Sequence, residues 1–240
     1  MATNTKDLER LKARVLVILS GGMDSTVCAA LAVRDFGAIH TAALHIDYGQ
    51  RTEKRERQAF QQICDRLEIH KRMDVETAFF RRIGGSALTD DSIAVPEAGP
   101  EVGTQIPVTY VPFRNAHFLS AAVSWAEVLG AEKIYIGAVS QDSSGYPDCR
   151  PEFYAAFNVA VRTGTKLGQI RIETPLIALR KADIVRLGLE LGAPFDLTWS
   201  CYSREDRACG ECDSCVLRMR AFEAAGARDP IPYGAAVEQH

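Results

Sequence analysis

The chain has 240 residues, 47% hydrophobic and 25% charged. That is the balance of a globular protein whose core needs no covalent staples. A formal net charge of −3 leaves no basic field to attract nucleic acid. The polar opening MATNTKDLERLKAR lacks the apolar stretch of a signal peptide, and no apolar run nears the ~18 residues of a membrane span. The expected setting is therefore the cytoplasm, with no membrane and no nucleic-acid partner. Residues 1–13 read as an N-terminal extension, 14–195 as an α/β domain and 196–240 as a C-terminal segment.

In chain order, an apolar strand at Val15–Leu19 runs into Ser-Gly-Gly and then into a helix reaching about Phe36. A strand follows at Ile39–Ile46, and a charged helix runs from about Arg51 to Leu67 with Phe60, Ile63, Cys64 and Leu67 as its apolar stripe. A short strand at Arg72–Val75 comes next. Residues 84–107, rich in Gly, Pro, Asp and Ser, read as a long functional or mobile loop. Asn115–Leu129 reads as a buried helix and Lys133–Val139 as a buried strand. Residues 140–150 (SQDSSGYPDCR) form a second functional loop, a helix covers about 151–164, and the strand RIETPL leads to a helix over Lys181–Leu191. A short helix at Val216–Ala225 closes the chain. Alternating strands and helices predict a doubly wound parallel sheet of Rossmann-like α/β type.

The run ARVLVILSGGMDST (13–26) carries the first chemistry. Strand, glycine turn and helix start bring converging N–H groups and the positive helix end to one place, which suits an anion. Ser20, Ser25 and Thr26 add hydroxyl donors. It is not a Walker A loop, since GxxxxGK[ST] is absent, nor the GxGxxG of a dinucleotide site.

Four of the seven cysteines, Cys201, Cys209, Cys212 and Cys215, fall in the pattern C-x7-C-x2-C-x2-C. Gly210 supplies the turn of a knuckle, and four thiolates close a tetrahedral structural Zn²⁺ site. An iron–sulfur cluster, a pair of disulfides or a nucleic-acid zinc finger are the alternatives, and the acidic surroundings (Glu205, Asp206, Glu211, Asp213) disfavour the last.

The spelling SGGxDS after the first strand resembles the PP-loop of the N-type ATP pyrophosphatases. Together, SGGMDST (20–26), DYGQR (47–51), TYVPFRN (109–115), SGYPDCR (144–150) and the cysteine quartet resemble the 7-cyano-7-deazaguanine synthase family of the queuosine pathway, from about residue 14 to 220. The sequence departs from that pattern at Phe113, where Gly or Ala is common, and at 138–141 (AVSQ), where Val-Cys-Glu-Thr is common.

The resemblance implies a fold of the adenine nucleotide alpha hydrolase type. It also implies conversion of 7-carboxy-7-deazaguanine and ammonia to a nitrile, with ATP and Mg²⁺, in a homodimer. No glutaminase pattern accompanies it, so free ammonia is the expected nitrogen source. Another PP-loop adenylating enzyme, a deazaguanine-conjugating paralogue, a tRNA-modifying ligase and a nucleotide sensor are the rivals.

On this reading Ser20, Gly21, Gly22, Asp24, Ser25 and Thr26 hold the pyrophosphate half of ATP. Leu19, Met23, Val27, Cys28 and Ala29 bracket that loop. Asp24 carries Mg²⁺ or caps the helix. His45 and Asp47 bound adenine and ribose, although a lone buried His is more often a satisfied core residue. Arg51 and Arg114 neutralise the triphosphate or the substrate carboxylate. Lys181 reaches a phosphate or is a plain helix-end lysine. Asp24, Arg114 and Lys181 are thus the catalytic candidates. Asp142 or Asp148 reads the adjacent N–H donors of a guanine-like ring, with Tyr146 or Phe113 stacking on it; the alternative for Asp148 is a turn residue bonded to backbone. Cys149 has no evident activator as a nucleophile.

Overall fold

The computed structural model describes residues 12–77, 79–99, 106–140 and 145–234; Asp142 and residues 1–11 lie outside the described residues. Five strands, β1 (Val15–Ile18), β2 (Thr41–Asp47), β3 (Lys71–Glu76), β4 (Lys133–Ile136) and β5 (Arg171–Glu173), form one sheet in the order β3-β2-β1-β4-β5. Every pairing is parallel, with Val17 beside Ala43 on one side and Tyr135 on the other. The chain winds outward from β1 to β3, then returns to place β4 on the far side of β1. That reversal leaves a crevice at the carboxyl ends of β1 and β4, where open α/β sheets bind ligands.

β1 and β2 are buried along their whole length, as befits central parallel strands covered on both faces. β3 alternates half-buried and exposed residues and carries Lys71, Arg72 and Asp74, which suits an edge. Side-chain alternation divides the core. Val15 and Val17 face helices α1 (Met23–Phe36), α2 (Glu53–Arg66), α6 (Lys181–Glu190) and α7 (Asp213–Ala225). Leu16 and Ile18 face α4 (Arg114–Leu129) and α5 (Pro151–Gly164), with Phe80 of the short helix α3 (Phe79–Ile83) on the same side. No helix among the described residues is long and apolar enough to cross a membrane.

The elements follow the expected order, with differences at their ends. β4 stops at Ile136 rather than Val139 because Gly137 passes under the start of α1. A Cβ at Gly137 would lie 2.8 Å from the Ser25 amide nitrogen. β2 begins at Thr41 rather than Ile39, since Ala38–His40 form a 3-10 turn. α7 starts three residues early, at Asp213, and α3 was not expected, because five residues are too few to show a periodicity.

The C-terminal segment shares the core of the α/β body: Cys201, Cys212, Cys215 and Phe222 pack in one cluster with Val15 and Val27. Its anchor is Arg218, fully enclosed, whose Nε and Nη2 donate to the Asp229 carboxylate at 2.7 and 2.9 Å while Nη1 donates to Thr198 Oγ1 at 2.7 Å. Tyr233 completes the set by donating to Asp229 Oδ2 at 2.7 Å. Arg218→Met strands the Asp229 charge in the interior. Urea unfolding should show a loss of about 3–5 kcal/mol, the cost of halving a buried pair. A loss below about 1 kcal/mol, the scale of an exposed pair, contradicts this assignment.

Candidate active site and metal centre

The loop Ser20-Gly21-Gly22 joins β1 to α1 at the crevice. Gly21 has φ +88°, and a Cβ there would stand 2.8 Å from the Glu56 carbonyl oxygen, so glycine alone lets α2 approach the loop this closely. Ser20 Oγ accepts from the Gly22 amide at 3.3 Å and lies 3.1 Å from Ser25 Oγ. Ser25 and Thr26 donate back to the Gly22 carbonyl at 3.0 and 2.8 Å.

The helix is capped by Gly22 with no side-chain bond, so Asp24 is not a cap. Asp24 Oδ2 instead pairs with Lys181 Nζ at 2.5 Å, which joins the first turn of α1 to the start of α6. Asp24 Oδ1 is buried and finds no hydrogen-bond partner among the described residues. Ser20, Gly22, Met23, Asp24, Ser25 and Lys181 all line the cleft. Leu19, Val27, Cys28 and Ala29 are core residues behind it.

Arg114 opens α4 on another wall of the cleft. Its guanidinium lies 5.0 Å from the Tyr48 ring centroid and 5.5 Å from that of Phe118, and Nη1 donates to the Tyr48 hydroxyl at 3.0 Å. Burial opposes its charge, but Tyr48, Tyr146 and Asp148 outweigh burial and hold its pKa above the ordinary value. Its Nε is buried and finds no hydrogen-bond partner among the described residues. An orphaned guanidinium N–H and an orphaned carboxylate oxygen in one cleft are groups awaiting an anion and a cation.

Other expected residues stand elsewhere. His45 is buried against Phe60, with Nδ1 3.0 Å from the Leu19 carbonyl and Nε2 3.1 Å from Asp47 Oδ1. Burial pushes the Asp47 carboxyl up, yet His45 and Arg57 more than compensate and leave it below the usual range. Neither His45 nor Asp47 lines the cleft. Arg51 is also absent from its walls: the guanidinium clasps the long loop through the carbonyls of Ala87, Asp90 and Ile93 at 2.7, 3.1 and 2.9 Å.

Asp148 is buried, and its Oδ2 accepts from the Asn115 amide at 3.0 Å, the role of a turn residue bonded to backbone. Tyr146 does line the cleft, its hydroxyl 2.9 Å from Thr109 Oγ1. Phe113, in the left-handed region at φ +58° and 57% exposed, lies off the cleft against His117 and Phe153. That backbone conformation is the one glycine adopts without strain. Burial pushes the Cys149 thiol up to about 11, so it stays protonated at neutral pH.

Glu56, Thr109, Trp199 and Tyr202 also line the cleft and were not anticipated. For Glu56 a signal existed: it sits in the first turn of the helix that follows the DYGQR block. For Trp199 and Tyr202 none did, because tertiary folding alone brings them there. The Trp199 amide donates to the Gly21 carbonyl at 2.8 Å.

The four cysteines of the C-terminal pattern converge, with all sulfurs within 4.8 Å of one another and none in a disulfide. Amides of Ser203 and Cys209 donate to Cys201 Sγ at 3.4 Å, and those of Glu211 and Cys212 donate to Cys209 Sγ at 3.4 and 3.3 Å. Such N–H···S bonds stabilise thiolates, the form a metal requires. The long loop reaches this centre, where the Ala98 amide donates to the Glu211 carbonyl at 2.8 Å.

Comparison with known proteins gives consistent matches. The family described as queuosine biosynthesis protein QueC matches residues 14–226. The 7-cyano-7-deazaguanine synthase of Koribacter versatilis is 71% identical, covering 95% of this chain and 96% of that protein. Those of Acidobacterium capsulatum and Chlorobium luteolum are 65% and 56% identical, each covering 92% of this chain and 97% and 96% of their own. With the fold, the cleft and the cysteine centre in view, the chain belongs to the family of the queuosine biosynthesis protein QueC.

Proposed function

We propose that the cleft converts 7-carboxy-7-deazaguanine and ammonia to 7-cyano-7-deazaguanine, using ATP to adenylate the carboxylate. The observation that carries this is one cleft holding a glycine turn at a helix start, a half-buried cation at Arg114 with an enclosed, open N–H, and a half-buried carboxylate at Asp24 with an enclosed, open oxygen. The named activity of relatives up to 71% identical agrees with it.

A carboxylate resists ammonia because oxide is an unworkable leaving group. Transfer of AMP to it gives a mixed anhydride that ammonia opens to the amide. Activation of the amide oxygen then lets loss of AMP and two N–H protons leave the nitrile. Both activations are phosphorus transfers, in which positioning and charge neutralisation dominate. Ser20, Gly21, Gly22, Ser25 and Thr26 cradle the departing pyrophosphate at the positive end of α1.

The open Asp24 oxygen fits Mg²⁺, which neutralises triphosphate charge when bound. Asp24 would hold that ion, and Lys181, which pairs with Asp24 at the cleft wall, would neutralise a phosphate oxygen. Arg114 binds the substrate carboxylate and then the developing charge on the α-phosphate. Tyr146 forms the deazapurine side, while Asp148 holds the start of α4. His45 and Asp47 brace the loop from behind, and Arg51 fixes the long loop.

The cysteine centre fits a single structural Zn²⁺. Cys209 and Cys215 sulfurs lie 3.8 Å apart, and ~2.3 Å Zn–S bonds set tetrahedral edges of about that length. A cytoplasmic homodimer completes the reading, supported by the exposed apolar ridge of Phe79, His117 and Phe113. Incubation with ATP, Mg²⁺, ammonium and 7-carboxy-7-deazaguanine should yield the nitrile mass, AMP and pyrophosphate. ATP consumption that proceeds without nitrile or amide contradicts the reading.

A further inference from the structure

Glu56 is a carboxylate on the cleft wall that the reaction as described leaves unused. It makes no ion pair among the described residues. Its orientation is nevertheless fixed. Thr52 Oγ1 donates to Oε1 at 2.7 Å, and Gln50 Nε2 donates to Oε2 at 3.1 Å. The Tyr48 amide donates to Gln50 Oε1 at 2.9 Å, which turns the Gln50 NH₂ toward Glu56.

Thr52 and Gln50 are both buried, so this is a built carboxylate rather than a surface one. Each of its oxygens keeps a lone pair for the cleft. Asp213, another carboxylate on the wall, has no ion pair and no such hydrogen bonds among the described residues, and it adjoins Cys212.

An anion held in the cleft repels pyrophosphate, nucleotide and the substrate carboxylate alike. It suits a small cation or a proton. The cationic reactant is ammonium, nearly all of the ammonia pool at neutral pH, and ammonium has no lone pair with which to attack an acyl carbon.

We propose that Glu56 is a further catalytic residue that binds ammonium beside the acyl adenylate and takes its proton. The inference rests on the function proposed above. In the step, one N–H bond breaks and its proton passes to the Glu56 carboxylate, leaving the electron pair on nitrogen. That pair forms the C–N bond at the acyl carbon. The C–O bond to AMP then breaks, with its electrons going to the phosphate oxygen. A second N–H proton of the adduct leaves with AMP or to solvent, and Glu56 returns its proton to solvent.

The groups facing Glu56 are Tyr48 and Arg114 across the cleft, and His45 from β2. Burial pushes its carboxyl up, while Thr52, His45, Arg114 and Gln50 act to lower it. The balance leaves the carboxyl above its ordinary range, a direction that favours its taking up a proton.

The test separates the two halves of the reaction in Glu56→Gln and Glu56→Asp. ATP–pyrophosphate exchange with 7-carboxy-7-deazaguanine reports adenylation. Hydroxylamine, an uncharged nucleophile at neutral pH, reports capture without prior proton removal. Both should stay within a few-fold of wild type, while kcat/KM for ammonium falls about 10²–10³-fold, the scale of a lost general base. Equal losses with both nucleophiles, no loss with ammonium, or a raised Mg²⁺ requirement with an unchanged ratio would each overturn the proposal.

Should the variants fail to fold, wild type decides. Referred to total ammonia, kcat/KM stays flat from about pH 7 to 9 if the ion is bound. It rises with the free-base fraction if no ammonium site exists, which rejects the proposal. Absence of exchange in wild type points instead to failure of the proposed function.

Discussion

Alanine at Ser20 and Asp24 together lowers ATP–pyrophosphate exchange by about 10³-fold or more, while the protein keeps its fold. The size of the effect follows from what the two side chains organise. Ser20 Oγ gathers the Gly22 amide and the Ser25 hydroxyl into one cluster. Asp24 holds both Lys181 and an open oxygen in the same cleft. Removing a single preorganised donor from a phosphoryl or acyl site costs about 10²–10³ in rate, and here a donor and a cation-binding group go at once. Neither side chain is a core residue, so thermal unfolding should shift little, and that separates lost catalysis from lost structure. Exchange that continues at the wild-type rate is incompatible with a pyrophosphate cradle at this turn.

Replacing one cysteine of the C-terminal centre acts through structure instead. Cys212→Ser should abolish stoichiometric metal, open residues 196–234 to proteases and destabilise the chain by several kcal/mol. The last is a fraction of the ~10–16 kcal/mol with which small structural zinc sites bind their ion. The change reaches the cleft because the segment carrying Cys201 also carries Trp199, which bonds to the Gly21 carbonyl of the glycine turn, and Tyr202, which lines the cleft wall. Elemental analysis and limited proteolysis, with and without a chelator, check this. A metal-free variant as stable and protease-resistant as wild type contradicts a structural role. Broad visible absorption in the loaded protein contradicts zinc.

Local signals carried the fold far. The apolar runs of β1 and β2, the glycine turn and the alternation of elements were enough to give the sheet, because parallel central strands are buried on both faces and read as uninterrupted hydrophobic stretches. The cysteine centre was legible for a similar reason, since its ligands sit within one short stretch of chain.

Residues recruited from afar were harder. Arg51 has the charge for a phosphate but spends its donors on loop carbonyls 36 to 42 residues on, which no spacing rule reveals. Asp148 has the chemistry to read a purine edge, yet one of its oxygens satisfies the start of α4. Phe113 has an aromatic face, but its backbone points it away from the cleft. Lys181 illustrates the converse: an apparently ordinary helix-end lysine meets Asp24 only because α6 packs beside α1.

The most direct test of adenylation is to run the nitrile-forming incubation with ¹⁸O in the carboxylate of 7-carboxy-7-deazaguanine. Attack of that oxygen on the α-phosphorus carries the label into AMP, which mass spectrometry should find. Label in orthophosphate, or AMP that stays unlabelled while nitrile forms, contradicts the account.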